Sequence, residues 1–298
     1  MNYGKTKVVV CRDAIELGRR AASDVAAGIR DLLSQQEEIR IVFAAGESQI
    51  TFLDALAAEP NVDWQRIVCF NMDDFYDTGV PEEFTCGQQT RKQLYEKVKP
   101  RRFHLVRFNA PDPDNEAKRF ESIIRAEGKI DILCQGIGTS GHLALNEPFD
   151  TDFREKSWVK VVKLAEQSKI QLADDPNFKA LGYIPSLGIT MTIPLLVSAR
   201  KIYTMVPLGL KRPILERLFA LDAPTEALPA SILLQVEGTL YVDRDSCPRQ
   251  LLAPDPLPRE QGAHALCRRD PPYISQTRPR SDRSFPCGTG GGPDGDDV

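Results

Sequence analysis

The sequence predicts an α/β fold with three layers: a doubly wound, mostly parallel sheet with helices on both faces. Short apolar runs alternate along the chain with longer segments of helical periodicity. This alternation is typical of parallel strands joined by helical crossovers. One such run, residues 130–135, leads into a turn that contains three glycines within six residues. Open α/β sheets bind their ligands at turns of this kind, beyond the carboxyl ends of the strands.

The first third of the chain supplies three predicted strands and two predicted helices. Asp13 is a suitable N-cap for a helix whose apolar residues recur on one face as far as Leu32. A second helix contains Phe52 and Leu56 and is ended by Pro60, because proline cannot continue a helix. The predicted strands lie at residues 8–11, 39–45 and 67–70.

The rest of the chain continues the same alternation. Asp112 and Pro113 have the order of an N-cap followed by the first residue of a helix, and Gly128 is placed to end that helix. A later predicted helix at 212–221 has Pro213 in its first turn. The predicted strands of this part lie at residues 130–135, 158–164, 202–206 and 239–242.

Composition and charge restrict the class of protein. The chain has 298 residues, of which 42% are hydrophobic and 27% charged, an ordinary globular balance. Its net charge of −4, with both signs interspersed, gives no electrostatic footprint for nucleic acid. No apolar stretch is long enough to span a membrane, and the N-terminus lacks the apolar core of a signal peptide. We therefore expect a soluble cytoplasmic protein with no nucleic-acid or membrane partner.

Cysteine usage predicts neither disulfides nor a metal site. The seven cysteines show no Cys-x-x-Cys spacing, and no group of cysteines and histidines has the spacing of metal ligands. Cys69 and Cys134 lie in apolar strand-like runs, so we interpret them as buried thiols of a reducing compartment.

The composition changes at Cys247. Residues 247–298 contain nine of the 22 prolines and six of the 20 glycines, with almost no periodic apolar pattern. Such a segment cannot bury enough apolar surface to offset the entropy cost of ordering it. We therefore predict one α/β domain at residues 1–246 and a disordered tail at 247–298. A genuine tail and an altered reading frame are both compatible with this composition.

The glycine-rich turn carries the most specific group of residues in the chain. It reads Gly-Ile-Gly-Thr-Ser-Gly-His-Leu-Ala-Leu-Asn-Glu-Pro over residues 136–148. Closely spaced glycines let a chain turn sharply and bring backbone N–H groups near a ligand. The same turn provides an imidazole, His142, and a carboxylate, Glu147. A lone histidine is usually structural, but packing alone does not require this combination of residues, so we predict a catalytic site here.

This run resembles the signature of the glucosamine-6-phosphate deaminase family, and its Asn-Glu-Pro ending favours that family over the related 6-phosphogluconolactonases. A second segment, Asn-Met-Asp-Asp-Phe at 71–75, is similar to the family's Asn-Met-Asp-Glu-Tyr run. The resemblance implies that Asp73 is the base that moves a proton between C1 and C2 of the opened sugar. It also implies that His142 opens the ring and that Glu147 holds the imidazole in one tautomer. Imidazole and carboxylate groups suit such proton transfers.

One position departs from the deaminase pattern. Where that pattern has an aspartate two residues before the histidine, this chain has Ser140. A hydroxyl can hydrogen-bond but carries no charge, so Ser140 stays in the predicted catalytic group with an altered role. Related branches of the family have asparagine there, so the departure does not by itself predict an inactive site. Of the adjacent acids 73 and 74, Asp74 is predicted to cap the segment that follows.

Further segments resemble the family's phosphate-binding segments. The turn after the second strand supplies three predicted ligands, Gly46, Ser48 and Gln49. A helix N-terminus at such a turn favours an anion, although Glu47 is unfavourable beside a phosphate unless it points away. Lys211, in a Gly-Leu-Lys segment, is the predicted cation for the phosphate. The arginine that deaminases use for phosphate has no clear counterpart, and Lys169 is a weak candidate.

The resemblance implies an enzyme that opens, isomerises and deaminates a 2-amino-2-deoxyhexose 6-phosphate. It implies a small sugar phosphate as the partner, no cofactor and no metal, and it allows a homo-oligomer. Two alternatives stay open. One is a 6-phosphogluconolactonase-like hydrolase, which would not need Asp73 as a carbon base. The other is a non-catalytic paralogue that binds a sugar phosphate without turnover.

Overall fold

An eight-stranded sheet forms the centre of the structure, a computed structural model that describes residues 1–173 and 176–252. The strands are β1 (Asn2–Tyr3), β2 (Thr6–Cys11), β3 (Ile39–Phe43), β4 (Ile67–Asn71), β5 (Asp73–Tyr76), β6 (Arg102–His104), β7 (Ile132–Gln135), β8 (Val159–Lys163), β9 (Leu187–Met191), β10 (Lys201–Val206) and β11 (Gly238–Asp243). The main sheet has the order β1-β2-β11-β10-β7-β3-β4-β6. Its strands pair in parallel except for β1, which is antiparallel to β2, so the predicted class is confirmed.

Helices connect the strands. They are α1 (Ala14–Leu33), α2 (Ile50–Ala57), α3 (Cys86–Thr90), α4 (Glu96–Val98), α5 (Pro113–Glu127), α6 (Glu166–Ala173), α7 (Pro176–Leu181), α8 (Ile193–Val197) and α9 (Arg212–Phe219). Short 3-10 and π turns join several of them. Within the two described ranges, no helix has both the length and the apolar character needed to cross a bilayer.

The strands bury side chains on both faces of the sheet. Ile41 and Phe43 of β3 share a hydrophobic cluster with residues of α1 and α2. Val42 lies between them in sequence and therefore points to the opposite face. There it shares a cluster with Phe120 of α5. Beside β10 and β11 the same face is covered by α9, which buries Leu215. Helices thus lie on both faces, as predicted.

The helix ends follow the predicted capping signals. The side chain of Asp13 accepts a hydrogen bond from the backbone N–H of Glu16 and caps α1. Asp112 caps α5 in the same way through the N–H of Asn115, and Pro113 occupies the first helical position. These local interactions place both helices against the sheet in the register that buries their apolar faces.

A small second sheet, which was not predicted from the sequence, accompanies the predicted parallel sheet. β5, β9 and β8 pair antiparallel in that order and pack on the α5 face of the main sheet. Met72 joins the two sheets: its N–H donates to Phe43 of the main sheet, and its carbonyl accepts from Met191 of the small one. β5 has only four residues and begins with two aspartates. It lacks the alternation of apolar and polar residues that indicates a strand, so the sequence does not reveal it. The consequence is that Asp73 lies at the junction of the two sheets.

The folded domain extends beyond its predicted end at residue 246. Cys247 is fully buried, and Leu251 and Leu252 pack against the cluster to which it belongs. These six residues, 247–252, therefore pack with the domain instead of starting a tail. A stretch so short and interrupted by Pro248 has no periodicity from which this packing could be predicted. The rest of the predicted tail, 253–298, lies outside the described residues.

Candidate active site

The topology creates a crevice between the carboxyl ends of β3 and β7. These two strands are neighbours in the sheet. From β3 the chain proceeds to β4 and β6 on one side, whereas from β7 it proceeds to β10 and β11 on the other. Such a reversal of direction leaves the adjacent turns splayed apart, and α/β proteins bind ligands there. The turn after β3 contains Gly46, and the turn after β7 contains His142.

A cavity of about 210 Å³ occupies this crevice. It brings together residues from segments far apart in the sequence. Of the predicted site residues, those that line it are Gly46, Ser48, Asp73, His142 and Lys211. Ser140 and Glu147 do not line the cavity; both are buried, and both contact the imidazole of His142.

Two glycines explain the shape of the turn after β7. A Cβ atom at Gly138 would lie 1.9 Å from Nε2 of His142, so only glycine lets the imidazole fold back over the turn. Gly141 has a φ of +90°, a left-handed conformation that favours glycine. A Cβ there would also lie 2.2 Å from a methyl group of Leu228, which belongs to the segment that supports the turn. The glycines of the signature therefore position the histidine.

A hydrogen-bonded group fixes one nitrogen of His142. Its Nδ1 lies 2.8 Å from Oγ of Ser140 and 3.1 Å from Oε1 of Glu147. The hydroxyl of Ser140 donates to Oε2 of Glu147 at 2.7 Å. A serine has one hydroxyl proton, so its oxygen must accept from Nδ1. The proton of a neutral imidazole therefore lies on Nδ1, and Nε2 is left with a free lone pair.

A second serine, Ser168 of α6, donates a hydrogen bond to Oε1 of Glu147. Glu147 is completely buried, and burial by itself raises the pKa of a carboxyl group. Its interactions with His142, Ser168 and Ser140 outweigh that burial, so the pKa of Glu147 is lowered from its ordinary value. Glu147 is thus an anion that orients the imidazole. Sequence reasoning missed Ser168, because it lies 21 residues beyond Glu147 in a segment with little helical pattern.

Asp73 has the opposite environment. Its side chain is 8% exposed and lines the cavity, and no hydrogen bond reaches its carboxylate from any residue in the described part of the chain. Burial, with a smaller contribution from the charge of Asp74, raises the pKa of Asp73 to about 7. A carboxylate of this kind holds and releases a proton near neutral pH, as a general base must.

Asp74 points away from the cavity, as adjacent residues of a strand do. Its carboxylate accepts hydrogen bonds from the backbone N–H groups of Phe75, Cys86 and Gly87. It therefore holds the start of α3 against β5. The prediction that Asp74 is the structural member of the acidic pair agrees with these contacts.

Another group of residues that line the cavity has an anion-binding character. Gly46 has a φ of +96°, and the 3-10 turn Glu47–Gln49 and α2 follow it directly. Lys211 is 6% exposed, and among the described residues no acidic side chain forms an ion pair with its ammonium group. Burial lowers the pKa of Lys211 to about 8, and the charge of Glu47 acts in the opposite direction. A phosphate bound here would give this buried cation the partner that it lacks.

Two residues that were candidate phosphate ligands do not line the cavity. Gln49 is fully buried behind the turn, where its amide nitrogen lies 3.3 Å from Oγ of Ser48 and 3.4 Å from the carbonyl of Met205. Its side chain therefore supports the turn and does not reach the cavity. Lys169 forms an ion pair with Glu166 on its own helix and also lies outside the cavity. No arginine is found among the described residues that line the cavity.

Nothing in the described ranges groups three or more histidine, cysteine or acidic side chains in a way that could hold a metal ion. The side chains of the cavity that can transfer protons include Asp73 and His142. Cys86 is an additional lining residue, and burial raises the pKa of its thiol well above the ordinary value. It faces the cavity as a neutral, weakly polar group.

Comparison with known proteins agrees with this geometry. Residues 12–242 match the family of glucosamine-6-phosphate isomerases and 6-phosphogluconolactonases. The chain belongs to this family. The glucosamine-6-phosphate deaminase of Shouchella clausii (strain KSM-K16) is 30% identical over 223 residues, covering 73% of this chain and 86% of that protein. Glucosamine-6-phosphate deaminase 1 of Bacillus subtilis (strain 168) is 28% identical over 246 residues, covering 80% and 98%.

Solved structures of both branches share the fold. A monomeric glucosamine-6-phosphate deaminase superposes with a TM-score of 0.71 at 24% identity, covering 81% of this chain and 98% of that one. A 6-phosphogluconolactonase from Thermotoga maritima superposes with a TM-score of 0.63 at 18% identity, covering 80% and 99%. At these identities the structural likeness establishes the family's fold and leaves the choice of reaction to the residues of the cavity.

Proposed function

We propose that this chain converts a 2-amino-2-deoxyhexose 6-phosphate and water into a ketose 6-phosphate and ammonia. One observation carries the proposal: a single cavity contains an unpartnered carboxylate with a pKa of about 7, an oriented imidazole and a buried lysine. These are the groups that ring opening, proton transfer between carbons and phosphate binding require. The curated relatives named above carry the name of a deaminase, which supports the same choice.

Ring opening would use Nε2 of His142. Because the proton of the imidazole is held on Nδ1 by Ser140 and Glu147, Nε2 can accept the proton of the anomeric hydroxyl. The same proton then passes to the ring oxygen as the bond between that oxygen and C1 breaks. Glu147 remains an anion throughout and stabilises the transient imidazolium ion.

Isomerisation would use Asp73. In the open aldehyde form its carboxylate removes the proton from C2, and the resulting enolamine accepts a proton at C1. The product is an imine at C2, to which water adds, and ammonia leaves to give the ketose. A base with a pKa near the working pH can carry out both removal and return of the proton, so the raised pKa of Asp73 supports this role.

The phosphate would lie between Lys211 and the turn that follows β3. Lys211 supplies a buried positive charge, and the N–H groups after Gly46 supply neutral donors. Lys211 and the turn after β3 line the same cavity as Asp73 and His142, which supports a substrate that contacts all of them. Binding energy from the phosphate can then orient the distant carbons toward Asp73 and His142.

A non-catalytic sugar-phosphate-binding paralogue is the second candidate. Two observations favour it: Ser140 stands where deaminases have an aspartate, and the described lining residues include no arginine. Against it, the hydroxyl of Ser140 makes both hydrogen bonds needed to connect His142 with Glu147. This connection supports the catalytic candidate even without the second charge.

The deciding experiment is incubation of the full chain with glucosamine 6-phosphate and measurement of released ammonia and ketose phosphate. The proposal expects both products in equal amounts. Parallel incubation with 6-phosphogluconolactone tests the hydrolase alternative. Lactone hydrolysis without ammonia release would replace the proposal by the lactonase function. Binding of glucosamine 6-phosphate without either product would replace it by the non-catalytic function.

A further inference from the structure

Ser168 touches the catalytic group from a different element of the fold. The turn after β7 supplies Ser140, His142 and Glu147 within eight residues, whereas Ser168 belongs to α6. The hydroxyl of Ser168 donates to Oε1 of Glu147, the same oxygen that contacts Nδ1 of His142. The carboxylate oxygen nearest the imidazole is therefore shared between a histidine and a serine from α6.

The cavity side of α6 carries Ser168 and Leu172, which are four residues apart and both line the cavity. Residues with this spacing lie on one face of a helix. Leu164, which lies between β8 and α6, also lines the cavity. Leu164 and Leu172 give this wall apolar contact surface, and Ser168, which is 7% exposed, is its polar link to Glu147. The position of α6 and the position of the carboxylate are thus connected by one hydrogen bond.

We infer that Ser168 is a positioning residue through which α6 fixes Glu147 and limits how strongly that carboxylate attracts the proton of His142. A hydroxyl that donates to Oε1 draws negative charge away from the imidazole. Without that donor, Nδ1 is the remaining partner of Oε1 among the residues that the structure describes. The imidazolium form would then be favoured, and Nε2 would release its proton to the ring oxygen less readily.

Other charged groups around His142 do not depend on Ser168. The titratable side chains that line the same cavity are Glu47, Asp73, Cys86 and Lys211. None of them has a hydrogen bond to Ser168 among the described residues. A change produced at His142 by substitution of Ser168 must therefore pass through Glu147.

The test is an NMR titration of the His142 imidazole in the full chain, assigned by loss of its signal in His142→Asn. Three histidines are present, so the assignment is tractable. In Ser168→Ala the midpoint should rise by about 0.5 to 1 pH unit, the equivalent of one hydrogen bond. Ser168→Thr retains the hydroxyl and should restore the wild-type midpoint. Ser122→Ala, which removes an exposed helical hydroxyl on α5, is the matched control and should change nothing.

An unchanged or lowered midpoint in Ser168→Ala overturns the inference, and so does a raised midpoint that Ser168→Thr fails to reverse. The inference concerns the site of the proposed function, but the titration needs no turnover, so it holds or fails separately. If ammonia release is also present, Ser168→Ala should lower kcat several-fold and leave KM nearly unchanged. A larger rise in KM than fall in kcat would indicate a substrate contact and contradict a positioning role.

Discussion

Glu147 and Asp73 belong to one site, and their environments drive their proton affinities apart. Glu147 is enclosed by an imidazole and two serine hydroxyls, and its pKa lies below the ordinary value despite complete burial. Asp73 is nearly as buried but lacks a hydrogen-bond donor among the described residues, and its pKa is raised to about 7. Burial raises the pKa of any carboxyl group. The imidazole and the two hydroxyls outweigh that effect at Glu147, whereas three backbone N–H donors do not outweigh it at Asp74, whose pKa is also raised to about 7.

This difference assigns the roles. A carboxylate that remains charged at every working pH can orient an imidazole but cannot exchange protons. A carboxylate whose pKa lies near 7 can take a proton from carbon and give it back. The two acidic residues are therefore suited to different tasks: Glu147 is held as an anion beside the imidazole, and Asp73 can exchange a proton near neutral pH.

Substitution of Asp73 should have the largest effect on activity. Asp73→Asn keeps the size of the side chain and removes its basicity, so ammonia release should fall by about 10²–10⁴-fold. Exchange of the C2 proton of glucosamine 6-phosphate with solvent, followed by NMR, should be lost as well. A variant with undiminished exchange would exclude Asp73 as the base.

Asp73→Asn should lower activity but should raise the stability of the folded protein at high pH. The raised pKa means that the folded protein binds a proton at Asp73 more readily than the unfolded chain does. The stabilisation present at low pH is therefore lost as the pH rises through about 7. At pH 8 Asp73→Asn should unfold at a higher temperature than the wild type, and at pH 4, close to the ordinary value of 3.8, the two should differ little. Thermal unfolding at both pH values checks this expectation.

Substitution of the buried lysine should act on binding more than on the chemical step. Lys211→Ala removes a charge-assisted contact, so KM should rise about ten- to a hundredfold with a smaller change in kcat. Because the pKa of Lys211 is lowered to about 8, the wild-type KM should also rise as the pH increases through that value. Steady-state kinetics with glucosamine 6-phosphate and with glucosamine separate these effects. An equal loss for both sugars would show that Lys211 does not bind the phosphate.

Ser140→Asp would add a second carboxyl group beside Glu147. Oγ of Ser140 lies 2.7 Å from Oε2 of Glu147, so an aspartate there would place two carboxyl groups in contact. When both carboxyl groups are ionised, the added negative charge favours the imidazolium form of His142. The acidic limb of the pH–rate profile should move, with kcat at pH 7 changed several-fold or less. An identical profile in two active proteins would place Ser140 outside the catalytic group.

The smallest effect on kinetics is expected for substitution of Glu47. Glu47 is exposed and lines the cavity together with Lys211, and its charge raises the pKa of that lysine. Glu47→Gln should lower KM at pH 7 by about two- to fivefold, the range of an exposed charge pair. Above pH 8 the advantage should disappear, because Lys211 then loses its proton at lower pH than in the wild type. Measurement of KM at pH 7 and pH 9 tests both signs.

The sequence predicted the residues that are local to a motif and missed those that the fold supplies. His142 and Glu147 are five residues apart in a glycine-rich turn, so their proximity follows from the turn itself. Ser168 reaches the same carboxylate only because α6 packs against the cavity, and no spacing along the chain encodes that contact. The family resemblance predicted Asp73 as the base, but the environment of its carboxylate depends on the junction of two sheets, the second of which the sequence did not reveal.

Gln49 illustrates the converse: it lies in a predicted binding turn, but its side chain does not line the cavity. Its place in the turn after β3 made it a candidate phosphate ligand, yet the 3-10 turn rotates its side chain into the core beside Met205. A position in a binding turn determines where the backbone lies, whereas the direction of each side chain depends on local dihedral angles. Neighbouring Ser48, one residue earlier, lines the cavity.

The separation of the two proton affinities can be measured directly by a carboxyl ¹³C NMR titration of the full chain between pH 3 and pH 9. Signals of the two residues can be assigned from Asp73→Asn and Glu147→Gln. Our account predicts that Asp73 titrates around pH 7, and that Glu147 titrates below the ordinary value of 4.5. If Asp73 instead titrates near 3.8, or if the two groups titrate together, the fold does not separate their roles and Asp73 is not the base.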